Sequence, residues 1–197
     1  MSSVKLAVIG GIGSGKSVVT TLLQAMNIPV YDCDSRAKQL MVSDEYLRRG
    51  LMKYFGDECY NEDGTLNRKW LAARIFVDKD AIQRVNELVH PCVKRDFLSW
   101  SEQQKSDIVA VETAILYESN MRDAVDKVML VWADTETCIS RVEGRNGFTR
   151  KQVINRMNNQ MSVDELLLLS DYSVFNDGNT PVIPQVLDIV NSLRTAE

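Results

Sequence analysis

The sequence predicts an α/β fold, a parallel five-stranded sheet with helices on both faces, and three observations support that class. Short apolar runs alternate with longer runs of helical period, the pattern of a sheet buried on both sides. A glycine-rich turn joins the first such strand to the first such helix. The chain also has the material for a core of ordinary size, with 197 residues, 45% hydrophobic and 25% charged. One main domain with insertions follows.

The first strand is the run Val4-Lys5-Leu6-Ala7-Val8-Ile9. Directly after it, Gly10 to Ser17 read Gly-Gly-Ile-Gly-Ser-Gly-Lys-Ser, which fits the phosphate-loop pattern G-x-x-x-x-G-K-[ST] at each required position. Val18, Val19, Leu22, Leu23 and Met26 then recur with helical spacing. A strand feeding a glycine-rich turn that opens a helix aims several backbone N–H groups at one spot, where the helix dipole also favours an anion. The polyphosphate of a nucleotide belongs there, on Gly11, Ile12, Gly13, Ser14, Gly15, Lys16 and Ser17. Lys16 reaches the terminal phosphates as a point charge, and the Ser17 hydroxyl holds the Mg²⁺ that bridges them.

Further strands are predicted at Ile28 to Tyr31, Ile108 to Glu112, Lys127 to Trp132 and Tyr172 to Phe175. Ligands of parallel sheets sit beyond the carboxyl ends of the strands, so Gly10, Asp32, Glu112, Ala133 and Asn176 mark where chemistry is sought. Between Tyr31 and Ile108 lies far more chain than one crossover helix needs. Ser35 to Gln104 reads as helices at Ala37 to Met41, Tyr46 to Phe55, Arg68 to Phe76, Ala81 to Val89 and Cys92 to Trp100. Gly56, the Asn61-Glu62-Asp63-Gly64 turn and the His90-Pro91 step punctuate it. A helical insert beside a nucleotide site suggests a module for a second substrate.

After the fourth strand a helix from Thr135 ends near Gly144, and Arg145-Asn146-Gly147-Phe148 leads to two capping boxes, Thr149 with Gln152 and Ser162 with Glu165. A last helix, Pro184 to Arg194, carries Val186, Leu187, Val190 and Leu193 on one face for the sheet. The boundaries that follow are a nucleotide-binding core at 1–34, 105–140 and 166–197, a helical substrate domain at 35–104 and a lid at 141–165.

Composition narrows the class. A formal net charge of −4 argues against a nucleic-acid partner. No basic stretch leads into a long apolar one and no window is long and apolar enough to span a bilayer, so no membrane partner and a cytoplasmic location are expected. The four cysteines, Cys33, Cys59, Cys92 and Cys138, form no C-x-x-C pair and read as reduced thiols.

Asp32 and Asp34 follow the second strand. If the backbone stays extended there, both carboxylates point to one side, where one binds metal directly or through water and the other orients an acceptor hydroxyl and takes its proton. Asp34 or Ser35 can equally cap the next helix. Glu112 could act as a Walker B-like carboxylate. His90, the single histidine, reads as a turn or packing residue. Arg141, Arg145, Arg150 and Arg156 form a charge run that a solvated helix face explains, but Arg145 stands at a helix end where a hinged lid could lower a guanidinium onto a transferring phosphoryl group. Such an arginine is worth on the order of 10³ to 10⁵ in rate.

The phosphate loop, Asp32-x-Asp34 with Ala37, Asp63-Gly64-Thr65-Leu66, Leu88-x-His90-Pro91, and Arg141 with Arg145 and Gln160 together resemble the dephospho-CoA kinase family, from about Val4 to Gly178. The resemblance implies a P-loop kinase core that transfers the γ-phosphate of ATP to the 3′-hydroxyl of dephospho-coenzyme A, the last step of coenzyme A synthesis. It implies that the helical insert binds the coenzyme A precursor and that the Arg145 region is the lid. Asp34 matches the family's candidate base, Lys16 and Ser17 its phosphate and Mg²⁺ ligands, and Arg145 its lid arginine. Departures are Ile9 for a usual Thr, Cys33 for a usual Ala, and Ala114-Ile115-Leu116-Tyr117-Glu118 for the usual Pro-Leu-Leu-x-Glu. A nucleoside monophosphate kinase would share core, insert and lid. A regulatory GTPase would carry Asp-x-x-Gly and Asn-Lys-x-Asp, and neither occurs in this chain.

Overall fold

A computed structural model describes residues 3–195. Met1, Ser2, Ala196 and Glu197, which the expected core takes in, lie outside the described residues. In chain order the elements are β1 (Val4–Ile9), α1 (Lys16–Ala25), β2 (Val30–Asp32), α2 (Cys33–Ser43), α3 (Glu45–Phe55), α4 (Arg68–Val77) and α5 (Lys79–Glu102). They continue with β3 (Ile108–Glu112), β4 (Lys127–Trp132), α6 (Thr135–Asn146), α7 (Arg150–Met157), α8 (Val163–Leu169), β5 (Tyr172–Phe175) and α9 (Val182–Thr195). The chain falls into two compact units, Met1–Tyr31 with Trp100–Glu197, and Asp32–Ser99.

The first unit is built on a five-stranded parallel sheet of order β2-β3-β1-β4-β5. Valine, isoleucine and leucine runs make these strands, because β-branched side chains pack well on a pleated surface and an all-parallel sheet buries both faces. On one face Leu6, Val8, Ile108, Ala110, Met129, Val131 and Val174 meet Val19 and Leu23 of α1 and Val186, Ile189, Val190 and Leu193 of α9. The α9 positions fall at intervals of three, four and seven, which makes one apolar stripe. Each aliphatic side chain fully buried here contributes roughly 1.5–3 kcal/mol. On the opposite face Ala7, Val109, Val111, Val128 and Leu130 are also fully buried.

Register sets where the site forms. Val8 pairs with Glu112 on β3 and Met129 on β4, and Trp132 pairs with Phe175 on β5. The carboxyl ends of neighbouring strands therefore lie side by side, and the residues that follow them share one edge of the sheet.

The second unit is helical. Arg36 of α2 makes a two-pronged ion pair with Asp96 of α5, at 2.8 and 2.9 Å. Asp44 caps α3 by accepting the Leu47 N–H at 2.8 Å and also pairs with Arg95 at 3.0 Å. The turn foreseen at Asn61 to Gly64 closes with the Asn61 N–H donating to the Thr65 carbonyl at 2.8 Å, and Gly64 supplies its positive φ of 79°. Arg48 donates to the Gly64 carbonyl at 2.7 Å while its guanidinium lies 4.2 Å from the centre of the Tyr60 ring.

Three expectations about elements are corrected. The second strand runs Val30–Asp32 rather than from Ile28 to Tyr31. Two helices expected on either side of His90-Pro91 are one helix, α5, with Pro91 inside it. Proline removes one backbone donor and its ring crowds the preceding turn, a cost of about 3 kcal/mol. Val85, Val89, Cys92, Val93 and Phe97, all buried, set tertiary packing against it on both sides of Pro91. Finally, α2 starts at Cys33, so the segment holding Asp34 is helical and not extended.

Candidate phosphate-binding site

The loop Gly10 to Ser17 leaves β1 and enters α1 at the carboxyl edge of the sheet. Three of its glycines are required, Gly10 because a Cβ there would collide with the Val131 carbonyl. Gly13 has a φ of 80° and a Cβ there would collide with the Cys138 carbonyl of α6; Gly15 has a φ of 91° and a Cβ would collide with the Asn176 amide. Gly15 is also the N-cap of α1 and gives it no side-chain cap hydrogen bond. The first N–H groups of a helix have no partner within the helix, so this end is left open to an anion.

Lys16, half-buried in the first turn of α1, donates from Nζ to the carbonyls of Gly10 at 2.7 Å and Gly11 at 3.2 Å. Its charge is thereby held over the loop. The loop is fastened from three directions. Asn176, buried after β5, donates from Nδ2 to the Ser14 carbonyl at 2.9 Å. Arg141 of α6 donates from Nη1 to the Asn176 carbonyl at 2.8 Å and to the Gly13 carbonyl at 3.5 Å. Gln160, beyond α7, accepts the Ile12 N–H at 3.0 Å through Oε1. Cys138 packs beneath Gly13, where burial raises its thiol pKa and keeps it protonated.

One atom in the loop is left wanting. The Ser14 hydroxyl is buried and has no hydrogen-bond partner among the described residues. Leaving a buried hydroxyl unpaired costs about 1–3 kcal/mol. Nearby, Thr20 Oγ1 donates to Glu112 Oε2 at 3.0 Å and to the Ser17 carbonyl at 3.3 Å. Thr20 and Glu112 thus stand beside the start of α1, whose first turn carries the Ser17 hydroxyl. Among the described residues no three His, Cys, Asp or Glu gather into a metal cluster. Mg²⁺ does not need one, because it keeps several waters and takes phosphate oxygens together with one or two protein ligands. The donor set fits that ion.

The remaining expected site residues belong to different surroundings. Asp32 is the N-cap of α2: Oδ1 accepts the N–H groups of Asp34 at 3.0 Å and Ser35 at 3.3 Å, and Oδ2 accepts the Ser35 hydroxyl at 2.5 Å. Asp34 is exposed in the first turn of that helix. Residues two apart on a helix do not share a face, so the argument that both carboxylates point one way from a strand fails. The capping role went to Asp32 rather than to Asp34 or Ser35. Arg145 lies in the last turn of α6, exposed, before the left-handed Gly147 at φ 62°. Arg150 pairs with Glu136 in the solvated manner expected of the arginine run. Reading the sequence located Asn176 and Arg141 as candidates but gave Asn176 no task, and nothing in the loop motif points to either.

Comparison with known proteins covers nearly the whole chain. A family model described as dephospho-CoA kinase matches residues 4–181. A dephospho-CoA kinase of Bacteroides fragilis is 36% identical over 189 residues, 95% of this chain and 92% of that protein. One from Porphyromonas gingivalis is 38% identical over 193 residues, 98% of this chain and 95% of that protein. A crystal structure from Thermus thermophilus superposes with a TM-score of 0.84 at 27% identity, covering 98% of each chain.

Proposed function

The chain belongs to the dephospho-CoA kinase family, and from that premise we propose that it carries the γ-phosphate of ATP to the 3′-hydroxyl of dephospho-coenzyme A. It is an ATP-dependent kinase of coenzyme A biosynthesis. The observation that carries the assignment of the donor site is the uncapped start of α1 at the end of a glycine-rich loop over which the Lys16 ammonium is held. Backbone N–H groups of the loop other than that of Ile12, which Gln160 holds, receive the β- and γ-phosphates, and Lys16 exchanges its two carbonyl partners for phosphate oxygens.

Phosphoryl transfer leaves little covalent work for the protein, so positioning and charge do most of it. The acceptor oxygen forms a bond to the γ-phosphorus as the bond to the β–γ bridging oxygen breaks, and ADP departs with that electron pair. Asp34 orients the acceptor hydroxyl and takes its proton. Arg145, with Arg141 as the alternative, stabilises charge on the transferring group. Mg²⁺, when bound, neutralises charge shared by the β- and γ-phosphates. Ser17 would supply its protein oxygen, and Glu112, bonded to Thr20 of the same helix, would stand by as a carboxylate. The metal contact expected of Asp32 has to compete with three cap hydrogen bonds. The unit Asp32–Ser99 takes the acceptor, the segment 141–165 serves as lid, and the setting is cytosolic, where the four buried cysteines stay reduced thiols.

The test is ADP release with Mg·ATP against dephospho-coenzyme A, adenosine, AMP and CMP. Turnover is expected with dephospho-coenzyme A alone. Release with a monophosphate and none with dephospho-coenzyme A would reassign the acceptor and leave the phosphate site standing.

A further inference from the structure

Ile12 of the phosphate loop is held twice. Its side chain packs into a small apolar cluster formed by Ile139 and Val142 of α6, Val153 and Met157 of α7, and Phe148 between the two helices. Its N–H donates to the side-chain oxygen of Gln160 at 3.0 Å. Gln160 itself is not loosely placed. Its own N–H donates to the Met157 carbonyl at 3.0 Å, within the turn that ends α7, and the Asn158 and Asn159 N–H groups close the same turn on Ile154 and Arg156. The reach from α7 to the loop is thus fixed at both ends.

We infer that Gln160 is a positioning residue for the donor nucleotide, coupling the lid segment to the phosphate loop through the Ile12 N–H. This deepens the donor-site reading above and rests on it. With that N–H committed to Gln160 and the Ile12 side chain seated between α6 and α7, the backbone direction at residue 12 is set before any phosphate arrives. Gly13 follows at once, in its left-handed conformation against the Cys138 carbonyl. The loop that leads into the uncapped start of α1 is then already in place. A cradle arranged in advance binds without first ordering its own backbone. Without Gln160, the loop keeps its carbonyl fastenings at Gly13 and Ser14 and the packing of the Ile12 side chain, and loses the hydrogen bond on the Ile12 N–H. The backbone direction at residue 12 is then set by packing alone.

The experiment uses the full chain and its Gln160→Ala and Gln160→Glu variants. ADP affinity is measured by calorimetry, and hydrogen exchange of the Ile12 amide is measured by NMR in nucleotide-free protein. One neutral hydrogen bond lost at the loop corresponds to a weakening of about 3- to 10-fold. Gln160→Ala is expected to weaken ADP binding and speed Ile12 exchange by factors of that order, to raise KM for ATP, and to leave KM for the acceptor within about twofold. Gln160→Glu retains an oxygen acceptor and is expected to keep the Ile12 amide protected. The inference is overturned by unchanged ADP affinity in Gln160→Ala, by an Ile12 amide equally unprotected in both variants, or by parallel rises in both KM values with a lowered thermal midpoint, which is general loosening. If the unsubstituted chain fails to bind ADP, the donor-site reading itself falls and takes this one with it. If it binds ADP and Gln160→Ala binds it equally well, only the role of Gln160 falls.

Discussion

Asp34 and Arg145 carry the sharpest consequences of the proposed chemistry, and each can be tested by one substitution. Asp34→Asn keeps the size of the side chain and its place in the first turn of α2. It is expected to lower kcat by about 10²- to 10⁴-fold, the usual worth of a positioned general base, with ADP affinity little changed. Near-normal turnover would remove Asp34 from that role. Arg145→Ala is expected to reduce kcat and leave ADP affinity intact, since that side chain is exposed. Arg141→Ala is expected to reduce both, because Arg141 also braces the Asn176 and Gly13 carbonyls. An unchanged rate in Arg145→Ala would hand the phosphoryl contact to Arg141. Lys16 and Ser17 could be named from sequence because the loop motif is a local, covalently spaced pattern. Asn176 and Gln160 could not be given their tasks that way, since each reaches the loop only after most of the chain has folded around it.

Elements were legible where periodicity and flanking residues agree. The strands from Ile108, Lys127 and Tyr172 and the capping boxes at Thr149 and Ser162 stand at the positions read from sequence. The errors came where local preference and tertiary packing disagree. Pro91 reads as a helix break, yet α5 passes through it with buried side chains on both sides. The start of α2 is not legible locally because Asp32, Asp34 and Ser35 are all able caps, and only the hydrogen bonds identify Asp32. One element contact carries a pH dependence. Arg194 near the end of α9 donates to Asp107, just before β3, at 2.7 Å, and that bond holds the Asp107 carboxyl below its ordinary pKa of 3.8. A carboxylate depressed in the folded state stabilises above its unfolded pKa and loses that contribution as pH falls through the folded value. Both partners are well exposed, so Arg194→Ala is expected to cost less than about 1 kcal/mol at neutral pH. The difference from the unsubstituted chain should shrink as denaturation curves are taken below pH 3.8, the ordinary carboxylate value. A difference that persists at lower pH would mean that Arg194 acts by packing.

At the scale of the molecule, binding should be visible as stability. A ligand that occupies only the folded state contributes about 2.7 kcal/mol at a hundred times its Kd. For a chain of this size that corresponds to a rise in melting temperature of roughly 5–10 °C, so Mg·ADP is expected to shift the midpoint by that order and adenosine, lacking phosphates, far less. Equal shifts would place the affinity on the base rather than in the loop. The sequence by itself determined the parallel α/β class, the phosphate loop and the family, because these depend on alternation, local spacing and short-range backbone geometry. The tertiary structure alone decided which distant groups brace the loop: the Asn176 amide, the Arg141 guanidinium and the Gln160 carbonyl. Those contacts join residues more than a hundred positions apart, and such pairings follow from strand order and register, which no local pattern encodes.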